Sequence, residues 1–415
     1  MVERLHIADA AWLRQGPLAK LLAVLDGNGE ETRVVGGAVR NALIGAPPGD
    51  VDVATTATPE EVMRRVEGAH FKVVPTGLEH GTLTVVVDGT PFEVTTLRED
   101  IETFGRHAIV RFGRDWELDA KRRDFTINAL SASADGLVHD YVGGIADLKA
   151  RRVRFIGDPA TRIAEDYLRI LRFFRFHAWY GHGPLDREGL HACIVARDGL
   201  DRLSRERVRM ELLRLLLAPH AVATLAVMAE SGLLLSVLGG VPMLAGLSNL
   251  IKIEADCAIE ASAIRRLGAL NVILTEDADR LWQRLRLSNL EHERLQSIGE
   301  RWWHIAPTVD ERTGRALLYQ TGPEYFLDRV LIAWARSQAT VHDLDWRRLA
   351  TLPRRWSAPT FPLKAADLMR RGLPKGPQLG EALKAAETAW IAADFPSDSV
   401  VLGAIADAAA RDLRA

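Results

Sequence analysis

Residues 34–57 read VVGGAVRNALIGAPPGDVDVATTA and hold three features able to do chemistry: the pair Gly36–Gly37, Arg40 one turn later, and Asp50 and Asp52 two positions apart. Side chains alternate along a strand, so positions i and i+2 share a face with Cα atoms about 6.6–7 Å apart. Two carboxylates so placed can converge on one Mg²⁺, or on two ions about 3.5–4 Å apart. Left alone they repel, and a cation between them relieves that cost. Glycines at a strand-to-helix turn let a phosphate approach backbone N–H groups at the positive helix end, and Arg40 can reach the same anion. Glu93, in the alternating run PFEVTTL, is a third acid able to face that point. Three acids beside a phosphate-binding turn are the parts needed for phosphoryl or nucleotidyl transfer. Each part alone has a plainer origin: tight packing for the glycines, a solvated loop end for the aspartates. Neither G-x-G-x-x-G nor a Walker loop is present.

Two later clusters add to this. In KRRDFTINAL (121–130), Arg122, Arg123 and Asp124 precede an apolar run that reads as a helix. Its arginines suit a triphosphate, while Asp124 and Asn128 suit a sugar or hold a loop; otherwise the decamer is a charged helix N-terminus. AEDYLRILRFFRF (164–176) reads as one helix with Asp166, Arg169 and Arg172 three residues apart along a polar edge. Leu168, Ile170, Leu171, Phe173, Phe174 and Phe176 bury most of the rest. Such an edge is either a salt-bridged surface or the wall of a cleft. In a cleft, a fixed Asp–Arg pair presents acceptors and donors to the edge of a base.

The elements that must position these groups are legible. RVVGG reads as a strand, AVRNALIG as a short helix with Gly45 as its C-cap, and DVDVAT as a strand. Thr58 and Pro59 start a helix as N-cap and N1. HGTLTVVVDG and TPFEVTTLR alternate as strands around an Asp88–Gly89 hairpin turn. After Pro159 strand signals almost vanish and helical spacing takes over.

Across 415 residues, 47% hydrophobic and 26% charged, the composition is that of a soluble globular protein large enough for two or more cores. A formal charge of −2 argues against indiscriminate nucleic-acid binding and leaves room for a local basic groove. Cys193 and Cys257 form neither metal spacing nor a disulfide framework, which suits a reducing cytoplasm. MVERLHIADAAWLRQ is not a signal peptide. Ser231–Ile251 is uncharged and long enough to span a membrane, but GGVP at its middle predicts two buried helix ends joined by a turn, and no membrane association.

Taken in order, GGAVR, DVD, EVTTLR, RRDFTINAL, EDYLRILR and LSRERVRMELLRLLL resemble the motif series of class II tRNA nucleotidyltransferases, the family of CCA-adding enzymes and bacterial poly(A) polymerases. The likeness covers residues 30–220 and thins beyond. It implies a polymerase-β-like α/β nucleotidyltransferase head (1–158) holding catalytic Mg²⁺. An elongated all-α neck (159–220), body (221–300) and tail (301–415) would follow and embrace the acceptor arm of tRNA. By this resemblance Asp50 and Asp52 bind metal, Glu93 supports them, and Gly36, Gly37 and Arg40 bind triphosphate. Arg123 contacts nucleotide beside Asp124 and Asn128. Asp166 and Arg169 select CTP and then ATP without a nucleic-acid template, supported by Glu165 and Arg172. Ser204–Leu217 matches a bracing motif without chemistry. The implied reaction is in-line attack of the tRNA 3′-hydroxyl on the α-phosphorus, with pyrophosphate leaving and no obligate protein partner.

Finer signals within the family favour full CCA addition. TGLEHGTLTVVV is similar to CCA-adding members, and no basic-aromatic segment of the poly(A) polymerase branch stands there. The long polar segment 98–125, with Arg106, Arg111, Arg114, Asp115 and Glu117, resembles a flexible loop that CC-adding relatives largely lack. A non-catalytic RNA-binding nucleotide sensor would not need Asp50, Asp52 and Glu93 together. The family usually carries aspartate where this chain has Asn41, so Arg40 is expected to lose a neighbouring charge and be held more loosely. In the tail, residues 361–391 resemble the family's helix–loop–helix, where Lys375, Arg370 and Arg371 suit an RNA phosphate; a plain turn between packed helices suits the same residues.

Overall fold

The structure is a computed structural model and describes residues 5–7, 10–78, 81–104 and 107–412. Among these residues nine strands form: β1 (Thr32–Val35), β2 (Asp52–Thr55), β3 (Lys72–Gly77), β4 (Thr82–Val87), β5 (Thr90–Thr96), β6 (Arg98–Phe104), β7 (His107–Phe112), β8 (Ser131–Ala132) and β9 (Val138–His139). Seven of them make one sheet in the order β3-β4-β5-β2-β1-β8-β9. The β2–β5 pair is parallel and the other pairs are antiparallel, so the sheet is mixed.

Local chemistry sets these elements. Leu83, Val85 and Val87 alternate inward along β4, and Asp88 and Gly89 both take positive φ, as a two-residue hairpin turn requires. The Thr58 hydroxyl accepts the Glu61 N–H and Pro59 opens helix Pro59–Gly68. That helix and helix Gly16–Leu25 pack on one face of the sheet through Val62, Val66, Leu21, Leu22 and Leu25, all buried.

Three readings need correction. First, the polar segment after β5 has regular structure: β6 and β7 pair as an antiparallel hairpin, with a register shift between Asp100 and Glu102. Arg106 lies outside the described residues. Second, the apolar run after Asp124 is not a helix. A single 3-10 turn, Thr126–Asn128, leads into β8, and Leu130 accepts the Gly36 N–H at the sheet. Third, residues 164–176 are not one helix. Helix Pro159–Glu165 ends, Asp166 is extended, and helix Leu168–Tyr180 begins.

The chain divides into two compact units, 1–239 and 240–415. The division falls inside the uncharged stretch, between helices Leu233–Leu238 and Leu244–Asp256. Among the described residues no helix is long and apolar enough to cross a membrane. The second unit is helical and its centre holds an ion network. Glu254 accepts from Arg265 and Arg266, both at 2.9 Å, and Asp328 accepts from Arg265 at 2.7 Å and from Arg294 at 2.9 Å. Asp328 is fully buried. Replacing it by Ala takes the shared carboxylate from two arginines, leaving Arg265 only Glu254 and Arg294 only the exposed Glu324, and a loss of about 3 kcal/mol is expected, read as a lower urea midpoint of the full chain.

Candidate active site

The floor of the site is the β1–β2–β5 strip. At the end of β1, Gly36 turns the chain into helix Gly37–Leu43 with φ 72°, a conformation that costs glycine little. A side chain there would also crowd Arg123, since a Cβ would sit 3.4 Å from its Nη1. The helix is only seven residues long, so the positive character of the turn comes chiefly from arginines. Opposite Val35 stands Asp52, and opposite Asp52, across the parallel pair, stands Glu93. Both acids are exposed, and Asp50 lies two residues before Asp52 in the entering loop.

The carboxylates feel one another. The protein mass around the cleft floor raises the pKa of Asp52, Glu93 raises it further, Arg123 opposes the shift, and Asp50 adds to it. These hard oxygens suit Mg²⁺, and a divalent ion would relieve their repulsion. Among the described residues no three Asp, Glu, His or Cys side chains already form a metal cage. An ion at Asp50 and Asp52 would therefore complete its shell with water and substrate oxygens, the usual habit of Mg²⁺.

Above this floor opens a cavity of about 490 Å³. Gly36, Gly37, Arg40, Asp52, Arg123, Asp124, Asn128, Asp166, Arg169 and Arg172, all read from the sequence, line it. Asp50 and Glu93 stand outside that lining, at its Asp52 edge. Arg122, Arg175, Phe176, Tyr180 and Arg207 also line it, bringing its arginines to seven against three aspartates.

Two ends differ in chemistry. At the Arg40 end the guanidinium is buried. It donates to Asn41 Oδ1 at 2.9 and 3.2 Å, to Asn128 Oδ1, and to the Tyr180 hydroxyl at 2.7 Å, and it lies 3.8 Å from the Tyr180 ring centroid. Burial lowers its pKa, with Tyr180 opposing. Asn41 loses the charge of an aspartate and keeps the contact: its amide oxygen accepts from Arg40 where a carboxylate would. Arg123 pairs with Asp119 at 3.2 Å.

At the other end the expected Asp166–Arg169 pair is not formed. Arg169 instead donates to Glu165 and to the Arg162 carbonyl at 2.7 Å, while Asp166 accepts from Arg207 at 2.6 and 3.2 Å. The break at Asp166 explains this. Its Oδ1 takes the Leu168 N–H at 3.1 Å and starts the second helix, so the residue leaves the helical register that would align it with Arg169. Arg172 reaches Asp124 at 2.7 Å, linking residues 48 apart. Arg207 belongs to the motif read as bracing only, and it does brace, but onto Asp166 inside the cavity. Tyr180 extends the 172–176–180 row by one more helical step, a signal present in the sequence.

In the tail Arg370 pairs with Asp367, Arg371 pairs with Asp407 at 2.5 Å, and Lys375 is exposed in the turn before helix Pro377–Ala392.

Comparison with known proteins decides the family. Residues 32–154 match the poly A polymerase head domain, and residues 185–246 match a probable RNA and SrmB-binding site of polymerase A. The mitochondrial CCA tRNA nucleotidyltransferase 1 of Danio rerio is 34% identical over 380 residues, spanning 90% of this chain and 86% of the relative. The CCA-adding enzyme of Streptococcus gordonii is 33% identical over 89% of this chain and 91% of its own. The chain belongs to the CCA-adding tRNA nucleotidyltransferases. The crystal structure of the Bacillus stearothermophilus CCA-adding enzyme in complex with CTP shares the architecture, with a TM-score of 0.74 at 28% identity over 95% of this chain and 97% of that one. Membership fixes the class as nucleotidyltransferase and the fold as a polymerase-β-like head followed by helical regions. A member of this family with Asn41 keeps its Arg40 in place through an amide.

Proposed function

We propose that this protein adds C, C and A to the tRNA 3′ end from CTP and ATP without a nucleic-acid template, releasing pyrophosphate. The observation that carries the reading is that one cavity joins an acidic floor at Asp52 to an arginine-rich wall ending at Asp166 and Arg169. Arg40 and Arg123 bind the triphosphate and orient the α-phosphorus over Asp50 and Asp52. Those two residues would hold Mg²⁺, which supplies charge neutralisation at the reacting phosphate and a lower pKa for the attacking hydroxyl. Glu93 keeps the floor negative beside them. The tRNA 3′-oxygen bonds to the α-phosphorus as the bond to the β-phosphate oxygen breaks, and pyrophosphate leaves. At the base end the recognition groups are paired within the protein, Asp166 with Arg207 and Arg169 with Glu165. An incoming base competes for these donors and acceptors, and only an edge that matches them displaces the pairs.

The acceptor arm of tRNA is the nucleic-acid partner in this reading, with Lys375, Arg370 and Arg371 as outlying phosphate contacts. The neck, body and tail boundaries at 159–220, 221–300 and 301–415 belong to the same proposal. Cytoplasmic residence suits two free, buried cysteines. The test is incorporation of radiolabelled CTP and ATP into tRNA lacking its CCA end. The expected product gains two C and one A. Arrest after CC identifies a CC-adding enzyme, homopolymeric A tails on unrelated RNA identify a poly(A) polymerase, and no incorporation with Mg²⁺ present overturns the proposal.

A further inference from the structure

We infer that Asn41 is a positioning residue that ties Arg40, at the triphosphate end of the cavity, to the loop that delivers Asp50. The inference rests on the nucleotidyl-transfer reading above and adds a device to it. Asn41 uses both halves of its amide. Its Oδ1 accepts from Arg40 Nε and Nη2, while its Nδ2 donates to the Pro47 carbonyl at 2.9 Å and to the Pro48 carbonyl at 3.4 Å. These partners fix the amide's orientation. Reversed, its NH₂ would face a guanidinium and its oxygen would face two carbonyls.

The loop needs such a handle. Gly45 and Gly49 bracket it with φ 71° and 68°, and Pro47 and Pro48 have no N–H to give. The helix carbonyls take the Gly45 and Ala46 N–H groups at the start of the loop, and the Asn41 side chain adds the grip on the two proline carbonyls, the second of them two residues before Asp50. On the other side, the groups that hold Arg40 directly, Asn41, Asn128 and Tyr180, are neutral. The guanidinium therefore keeps its charge for a phosphate instead of spending it on an adjacent carboxylate.

In this chain an amide meets both sets of partners at once. A carboxylate would still accept from Arg40, but it would neutralise that charge and set a second anionic oxygen against the Pro47 and Pro48 carbonyls. A substitution that looks conservative thus breaks the tether and weakens triphosphate attraction together.

The experiment compares full-length wild type, Asn41→Asp and Asn41→Ala by hydrogen–deuterium exchange of residues 45–51 without nucleotide, and by the Mg²⁺ concentration giving half-maximal CTP incorporation. Both variants are expected to exchange faster in this segment and to need about tenfold more Mg²⁺. Asn41→Asp alone is expected to raise the KM for CTP and ATP by similar factors, because the triphosphate is common to both. If Asn41→Asp fails to fold, Asn41→Ala gives the same exchange reading without the added charge. Unchanged exchange and unchanged Mg²⁺ demand in the folded variants would overturn the tether. Incorporation by wild type separates the two levels: if it adds neither CTP nor ATP, the nucleotidyl-transfer reading fails, whereas the exchange result still reports on the tether.

Discussion

Replacing Asp52 by Asn is expected to lower CTP incorporation at least about a thousandfold while raising the melting temperature of the nucleotide-free protein. The activity term follows from the floor of the site. On the proposed reading a metal ion held there would supply several kcal/mol of charge stabilisation, and each 1.36 kcal/mol is about tenfold in rate. The stability term follows from the raised pKa of Asp52, caused by its surroundings and then by Glu93 and Asp50 against Arg123. A carboxyl whose folded pKa lies above its unfolded one holds its proton more tightly when folded. Its favourable contribution is complete below the unfolded pKa and is lost as pH rises through the folded value. At neutral pH the ionised group is a cost that Asn removes. The melting difference should therefore be present at pH 7 and shrink toward about pH 4, the ordinary carboxylate range. Added Mg²⁺ should stabilise wild type more than the variant. Incorporation within tenfold of wild type would remove Asp52 from the catalytic floor.

This opposition between stability and function also explains why the floor was readable in advance. The strand reading holds for Asp52 but not for Asp50, which lies in the loop before β2; the Asp88–Gly89 turn fixed the phase of β5, and Glu93 fell beside Asp52. Only short-range rules were needed. The opposite wall of the cavity depends on bonds between distant residues, Asp166 with Arg207 and Asp124 with Arg172, which local periodicity cannot see. The helical pattern of 164–176 ran through Asp166 without a break, since apolar residues on both sides kept the period, and the competing cap bond to Leu168 N–H is a tertiary choice. Asn41 shows a different limit. Counting charge sees only a lost anion beside Arg40, whereas counting donors and acceptors shows an amide that satisfies two partners at once.

The second large effect is expected at Arg172, whose replacement by Ala should cost about 3 kcal/mol, the lower end of the range for breaking a buried pair because Arg172 itself opens partly to the cleft. Asp124 lies at the centre of a polar chain. Its Oδ2 takes Arg172, its Oδ1 takes the Phe125 N–H at 2.9 Å and Asn128 Nδ2 at 3.2 Å, and Asn128 in turn takes Arg40. Burial works to raise the pKa of Asp124, but the charge and hydrogen bond of Arg172, helped by Asn128 and Phe125, hold it below the ordinary value. In wild type this group therefore contributes stability above its unfolded pKa and loses it as pH falls through the depressed folded value, below about pH 4. Without Arg172 burial dominates and the sign reverses: the buried carboxyl favours its proton, and stability drains away as pH rises toward 7. The gap between wild type and Arg172→Ala should thus widen from pH 4 to pH 7 in urea unfolding. Arg172→Ala/Asp124→Asn should recover much of the loss, because removing the charge is cheaper than burying it unpaired. An equal gap at both pH values, with no recovery in the double variant, would mean that Arg172 acts through packing alone. Because the polar chain runs on to Arg40, the single variant should also raise the KM for CTP and ATP together on the proposed reading, in which Arg40 binds the triphosphate common to both.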